Sequence, residues 1–150
     1  MERTLVLIKP DGVQRGLVGV IIGRIERRGL RLIGIKMLQV SRSLAEKHYA
    51  VHKGKPFYDG LIDYIIASPV VAMTWQGSKA VEVVRQVLGS TNPTQASPGT
   101  IRADFAVDTG RNLTHGSDSA QTGELEVNLW FTLEELLDWE QDNESWVFEN

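Results

Sequence analysis

Short apolar runs rich in β-formers alternate along this chain with segments whose apolar residues recur every three or four positions, and that alternation most constrains the fold. Thr4 to Ile8 reads as a buried strand, which Lys9-Pro10-Asp11-Gly12 ends with turn chemistry. Leu17, Val18, Ile21, Ile22 and Ile25 then recur at helical spacing, with Arg24, Arg27 and Arg28 on the exposed side and Gly29 as the stop. Leu30 to Val40 predicts a long strand. Ser43-Leu-Ala-Glu46 has capping-box spacing and predicts a helix through about Val51, followed by a second short helix from Tyr58 to Ala67. Val70 to Trp75 is the next strand, and Lys79 to Leu88 a helix that Gly89 caps. Ser90 to Thr100, rich in Thr, Asn, Pro, Ser and Gly, must be a loop, and its length suggests a functional or interface role. Glu126 to Phe131 is expected to close the sheet, before a last short helix from Leu133 to Trp139. Helices between strands in this order predict an α+β fold of the ferredoxin-like, split-βαβ kind, with a four-stranded antiparallel sheet and surrounding helices.

The 150 residues, 42% of them hydrophobic, suffice for one ordinary domain, and neither a repeat nor a linker divides them. Without cysteine, a disulfide framework, a thiolate metal site and a cysteine nucleophile are all excluded, and a cytoplasmic setting is expected. The apolar run Leu5 to Ile8 is far too brief for a signal peptide or a membrane span.

Net charge is −3, but residues 132–150 hold seven of the 19 acids and none of the 16 Lys and Arg. That leaves 12 acids against 16 bases in residues 1–131, a balance of +4. A mildly basic body suits a small polyanion, whereas nucleic acid as main partner would call for a stronger basic stripe. The acidic end also carries Trp139, Trp146 and Phe148, too aromatic for a solvated arm. It is expected to pack as a C-terminal extension at a subunit interface, with the loop around Pro93 as a second contact.

The densest chemistry lies in Arg111-Asn-Leu-Thr-His-Gly-Ser-Asp-Ser-Ala120, where His115 stands among small, hydroxylated and acidic neighbours. An imidazole with an ordinary pKa near ~6.5 is mostly neutral and nucleophilic at neutral pH. Gly116 lets a substrate approach the backbone. The other two histidines, His48 and His52, lie four apart on an expected helix; a zinc site needs more ligands than they supply, so they read as solvated and no metal ligand is expected. Gly12, Gly16 and Gly19 match neither dinucleotide nor P-loop spacing. Ser117 and Ser119 lack a G-x-S-x-G elbow, since position 120 is Ala, which argues against a serine hydrolase. Phosphoryl transfer needs positioned cations above all, and Lys9, Arg85 and Arg102 are the candidates. Singly, Arg85 could be a wetted helix residue and Lys9 a strand-end charge. Phe57, off any periodic apolar face, suits either a stacking platform or a core anchor.

The stretch Asn112 to Ser119 closely resembles the active-site signature of nucleoside diphosphate kinases, and Thr4 to Gly12 resembles that family's opening strand and loop. Lys55-Pro-Phe57, Gly89 to Pro93, Pro98 to Arg102 and Leu129-Trp-Phe131 match in the same order, so the resemblance covers nearly the whole chain. It implies the same fold, and γ-phosphate transfer from a nucleoside triphosphate to a diphosphate by a ping-pong route through a phosphohistidine on the δ nitrogen of His115. By the same resemblance Glu126 and Ser117 assist the imidazole, with Lys9 the fourth catalytic residue. Lys9, Tyr49, Phe57, Leu61, Arg85, Thr91, Arg102 and Asn112 would bind the nucleotide, with Phe57 stacking on any base. Mg²⁺ is expected chiefly through the phosphates, and a hexamer or tetramer as the assembly. Gln121, Gly123 and Thr109 depart from the family's usual Glu, Ala and aliphatic residue. A nucleic-acid-binding or scaffold protein that kept the fold is the alternative; it would lack His115 or the phosphate-binding set, and neither is missing.

Overall fold

The structure, a computed structural model, describes residues 1–149. Strands β1 (Glu2–Ile8), β2 (Arg31–Leu38), β3 (Val70–Gly77) and β4 (Thr114–Gly116) form one sheet in the order β2-β3-β1-β4, with each neighbouring pair antiparallel. β1 and β2 thus run parallel with β3 between them, as do β3 and β4 around β1. This is the split-βαβ arrangement expected from the alternating pattern.

The connecting helices are α1 (Pro10–Gln14), α2 (Val18–Glu26), α3 (Arg42–His48), α4 (Tyr58–Ile66), α5 (Ala80–Leu88), α6 (Ile101–Phe105) and α7 (Ala120–Trp130). They cover both sheet faces, which is why β1 and β3 are continuous apolar runs. On one face Val6, Ile8, Met73 and Trp75 meet Ile21, Ile25, Val84, Leu88 and Ile101 of α2, α5 and α6. On the other, Leu5, Leu7, Val70 and Ala72 meet Ala45, Ile62, Ile65, Val127 and Trp130 of α3, α4 and α7. Two cores therefore share one sheet.

The structure corrects the expected fourth strand. Glu126 to Trp130 is the end of α7, which Ser119 opens by accepting the Thr122 N–H at 3.0 Å. Gly123, Val127 and Trp130 are buried at helical spacing, although Val127, Leu129 and Phe131 alternate like a strand. At Gly123 a Cβ would lie 2.5 Å from the Arg3 carbonyl oxygen, so α7 rests directly on the backbone of β1. The fourth strand is Thr114–Gly116 instead, three residues too short to show a period.

Smaller differences follow local hydrogen bonding. Lys9 to Gly12 leads into α1, with Pro10 in its first turn, where a missing N–H is harmless. Ser41, rather than Ser43, caps α3 by accepting the Leu44 N–H at 3.1 Å. Within the expected last helix only Leu133–Glu135 makes a 3-10 turn, after which the chain extends along the outer edge of β2. There Leu137 N–H donates to the Ile33 carbonyl at 2.8 Å and the Trp139 indole to Leu32 at 3.0 Å. The Arg31 guanidinium donates to the Trp139 carbonyl and pairs with Glu144. Asn150, the last residue of the expected extension, lies outside the described residues. Among those described, no helix is long and apolar enough to cross a membrane.

Candidate active site

β4 pairs with β1 so that His115 faces Leu7 in register, on the side of the sheet that carries α3 and α7. The strand follows an unusual backbone position: Leu113 is fully buried with φ +74°. A left-handed non-glycine residue costs about 1–3 kcal/mol, so its surroundings must hold it there. Asp11 does so, one carboxylate oxygen accepting the Leu113 N–H at 3.0 Å and the other accepting the Tyr64 hydroxyl. The Leu113 carbonyl accepts the Lys9 N–H at 2.8 Å. The loop carrying Asn112 and His115 is thereby tied to the end of β1.

His115 Nε2 lies 3.0 and 3.1 Å from the two carboxylate oxygens of Glu126. A carboxylate only accepts, so Nε2 is the nitrogen that donates, and in the neutral ring Nδ1 then keeps its lone pair. Nδ1 has no hydrogen-bond partner among the described residues. Ser117 Oγ donates to Glu126 at 2.6 Å and accepts the Leu5 N–H at 3.1 Å, which joins the carboxylate to the sheet backbone. Burial alone would raise the Glu126 carboxyl, but the hydrogen bond and charge of His115 and the Ser117 hydroxyl outweigh it, leaving the group below its ordinary range.

Beside His115 stands His48, and here the expectation of two solvated histidines is corrected. Its side chain is 2% exposed, its Nδ1 accepts the Trp130 indole N–H at 3.1 Å, and its ring meets that of His115 edge to face at 4.6 Å. Burial, reinforced by His115, pushes its pKa down to about 3, so it is neutral. One potential ligand atom from each of His48, His115 and Glu126 falls within 4.8 Å of the others. Glu126 and Trp130 already engage the two imidazoles, so the set reads as a hydrogen-bonded cluster.

The His115 imidazole opens into a cleft of about 590 Å³ that gathers residues far apart in sequence. Tyr49, Phe57 and Leu61 line it from the α3–α4 side, together with His52. Phe57 is 51% exposed and its ring lies 5.3 Å from that of His52, so it is a platform at the mouth rather than a core anchor. From the opposite side come Arg85 on α5, Thr91 in the following loop and Arg102 on α6. Lys9, Asn112, His115 and Glu126 also line the cleft, while Ser117 lies buried against Glu126.

Lys9 Nζ donates to Asn112 Oδ1 at 2.9 Å, and Asn112 Nδ2 donates to the Thr91 carbonyl at 3.0 Å. Burial, with Arg102 adding to it against Asp11, lowers the Lys9 pKa to about 8. Arg102 is buried and gives one N–H each to the carbonyls of Gly89, Asn112 and Thr114, which leaves two of its five donors free. Burial and the neighbouring Arg85 bring it down to about 10, still fully charged at neutral pH. Arg85 is exposed and makes no hydrogen bond or ion pair among the described residues. Sequence reasoning missed His52 and Asp118 as lining residues. A spacing of four from His48 and a place in the His115 segment were the only signals.

An imidazole with one free nitrogen, a carboxylate behind its other nitrogen and three cations within the same cleft can accept and return a phosphoryl group. The family model described as nucleoside diphosphate kinase matches residues 2–136. The chain is 54% identical to a nucleoside diphosphate kinase of Archaeoglobus fulgidus and 56% identical to one of Thermosynechococcus vestitus, each over 99% of both chains. Its fold is similar to a family structure from Babesia bovis, with a TM-score of 0.97 and 43% identity, covering 99% of this chain and 100% of the other. It is also similar to the halophilic nucleoside diphosphate kinase of Halobacterium salinarum in complex with CDP, with a TM-score of 0.96, 48% identity and 99% of each chain covered. The chain belongs to the nucleoside diphosphate kinase family.

Proposed function

We infer that this protein moves the γ-phosphate of a nucleoside triphosphate to a nucleoside diphosphate through a phosphohistidine on His115. The observation that carries the reading is the pairing of both Glu126 oxygens with His115 Nε2, which reserves Nδ1 for the phosphorus. In the first half-reaction the Nδ1 lone pair forms the N–P bond, the bond from phosphorus to the bridging oxygen breaks, and the diphosphate leaves. Glu126 stabilises the positive charge that then spreads over the ring, and Ser117 holds the carboxylate in line. In the second, a terminal oxygen of another diphosphate attacks the same phosphorus and the neutral imidazole returns. One cleft serving donor and acceptor in turn makes the scheme ping-pong.

Arg85, Arg102 and Lys9 neutralise the phosphates, each charge-assisted hydrogen bond contributing about 1.5–3 kcal/mol net. Thr91 and Tyr49 offer hydroxyls beside them. Lys9 and Asn112 reach the ribose, and Phe57 with Leu61 holds the base by its π-face, which every base offers. The donor set fits Mg²⁺ delivered with the nucleotide: Glu126 is already engaged, and among the described residues Asp118 is the one other carboxylate lining the cleft, so the phosphates would hold the ion with Asp118 beside them. When bound, the ion neutralises phosphate charge and orients the chain of phosphates. A cytoplasmic homo-oligomer, hexamer or tetramer, with residues 132–150 at a subunit contact and no nucleic acid as main partner, completes the reading.

The test is incubation with Mg²⁺ and γ-labelled ATP. Acid-labile, base-stable label that GDP discharges as GTP, and that His115→Ala does not acquire, is the expected outcome. Folded wild-type protein that takes up no label would defeat the reading.

A further inference from the structure

One buried polar side chain next to the nucleophile has no part in the steps above. His48 ends α3, beneath the cleft, and its ring touches three others: Tyr49 at 4.7 Å, His115 at 4.6 Å and Trp130 at 5.3 Å between centroids, all edge to face. The Glu126 carboxylate fixes only one point of the His115 imidazole. A ring held at Nε2 can still tilt about its own axis, and that tilt decides where the Nδ1 lone pair aims. The His48 ring stands at 80° to that of His115 and limits the tilt from one side.

His48 is itself immobilised. The Trp130 indole can only donate, so His48 Nδ1 accepts and Nε2 carries the proton. Protonating His48 would set an N–H against the indole N–H and place a cation beside His115; burial opposes that too, with Lys9 as a further cation nearby and Glu126 as the one opposing charge. The ring therefore packs as a neutral wall of fixed orientation. Trp130 comes from α7, one turn beyond Glu126, so a single helix controls both the proton side of His115 and, through His48, its tilt.

We propose that His48 is a positioning residue: its ring, anchored by the Trp130 indole, holds the plane of the His115 imidazole so that Nδ1 is presented to the incoming phosphorus. This rests on the phosphohistidine reading and deepens it. Misdirecting a reacting atom by a fraction of an ångström slows the chemical step and leaves ground-state binding of nucleotide, made by Phe57, Arg85 and Arg102, largely alone.

Three variants separate the ring from its polar atoms. His48→Ala removes both, His48→Asn keeps an acceptor for the indole without a ring, and His48→Phe keeps a ring without the acceptor. Single-turnover labelling from γ-labelled ATP is expected to slow roughly tenfold to a hundredfold in His48→Ala and His48→Asn, with the nucleotide concentration for half-maximal rate within about threefold of wild type. His48→Phe is expected to recover most of the lost rate even though burying an unpaired indole N–H lowers its melting temperature. NMR of the His115 ring should show one narrow set of ring signals in the wild type and broadened or doubled signals in His48→Ala, as the ring samples more than one tilt. Folded His48→Ala that labels at the wild-type rate with an unchanged His115 spectrum would overturn the proposal. So would rates across the three variants that follow stability rather than the presence of a ring. Wild-type protein that fails to label would instead overturn the phosphohistidine reading itself.

Discussion

At the scale of single residues, burial in the site moves the proton affinities of its cationic and imidazole side chains below their values in water. Lys9 is the clearest case, because burial lowers its pKa to about 8 while an unfolded lysine titrates near ~10.4. The sign follows directly: the folded site disfavours the charged form, so the ammonium is present below about pH 8 and lost as pH rises through that value. The kcat/KM for nucleotide, which reports the free enzyme, is therefore expected to fall above about pH 8 with one ionisation. A profile flat to pH 10 would show that the Lys9 charge is not needed for productive binding. Linkage gives the same group an opposite effect on the fold, which gains stability between about pH 8 and the unfolded value as the buried charge disappears.

Among the elements, the placement of α6 depends closely on one glycine. Gly89 ends α5 at φ +86° and ψ 177°, a conformation open essentially to glycine, and a Cβ there would lie 2.4 Å from the Oγ1 of Thr100, the residue that caps α6. Gly89→Ala is expected to destabilise the protein by about 1–3 kcal/mol and to raise KM, because Arg102 rides on α6 and binds the Gly89 carbonyl. Urea denaturation with unchanged midpoint would contradict this.

This cap and the longer elements were legible in the sequence because each repeats its signal over several turns or pleats. Thr114–Gly116 was not, since three residues carry no period, and α7 was misread because its last apolar residues also fit alternation. The site shows the same limit. His115 and Ser117 announce themselves within one segment, whereas Lys9, Arg85 and Arg102 come together only when α5 and α6 dock near the end of β1. His48 looked solvated because nothing local reveals that Trp130, 82 positions away, will cover it.

For the whole molecule, the acidic end of the chain answers the basic body within the chain itself. Glu135 pairs with Lys36 at 3.0 Å and Glu144 with Arg31 at 3.6 Å, as the segment follows the free edge of β2. Leu133 and Trp146 remain 81% and 90% exposed along it, which favours a further partner surface there. Truncation after Phe131 is expected to lower the number of subunits that light scattering reports. An unchanged subunit number would remove residues 132–150 from the proposed subunit contact.

The two cores on opposite faces of the sheet have a consequence for descent. Phe57 and Leu61 belong to one layer of helices, Arg85 and Arg102 to the other, and the thin sheet between them is the common wall. On the proposed reading, a substitution in descent that repacks the layer under the base leaves the phosphate-side layer, across the sheet, in place.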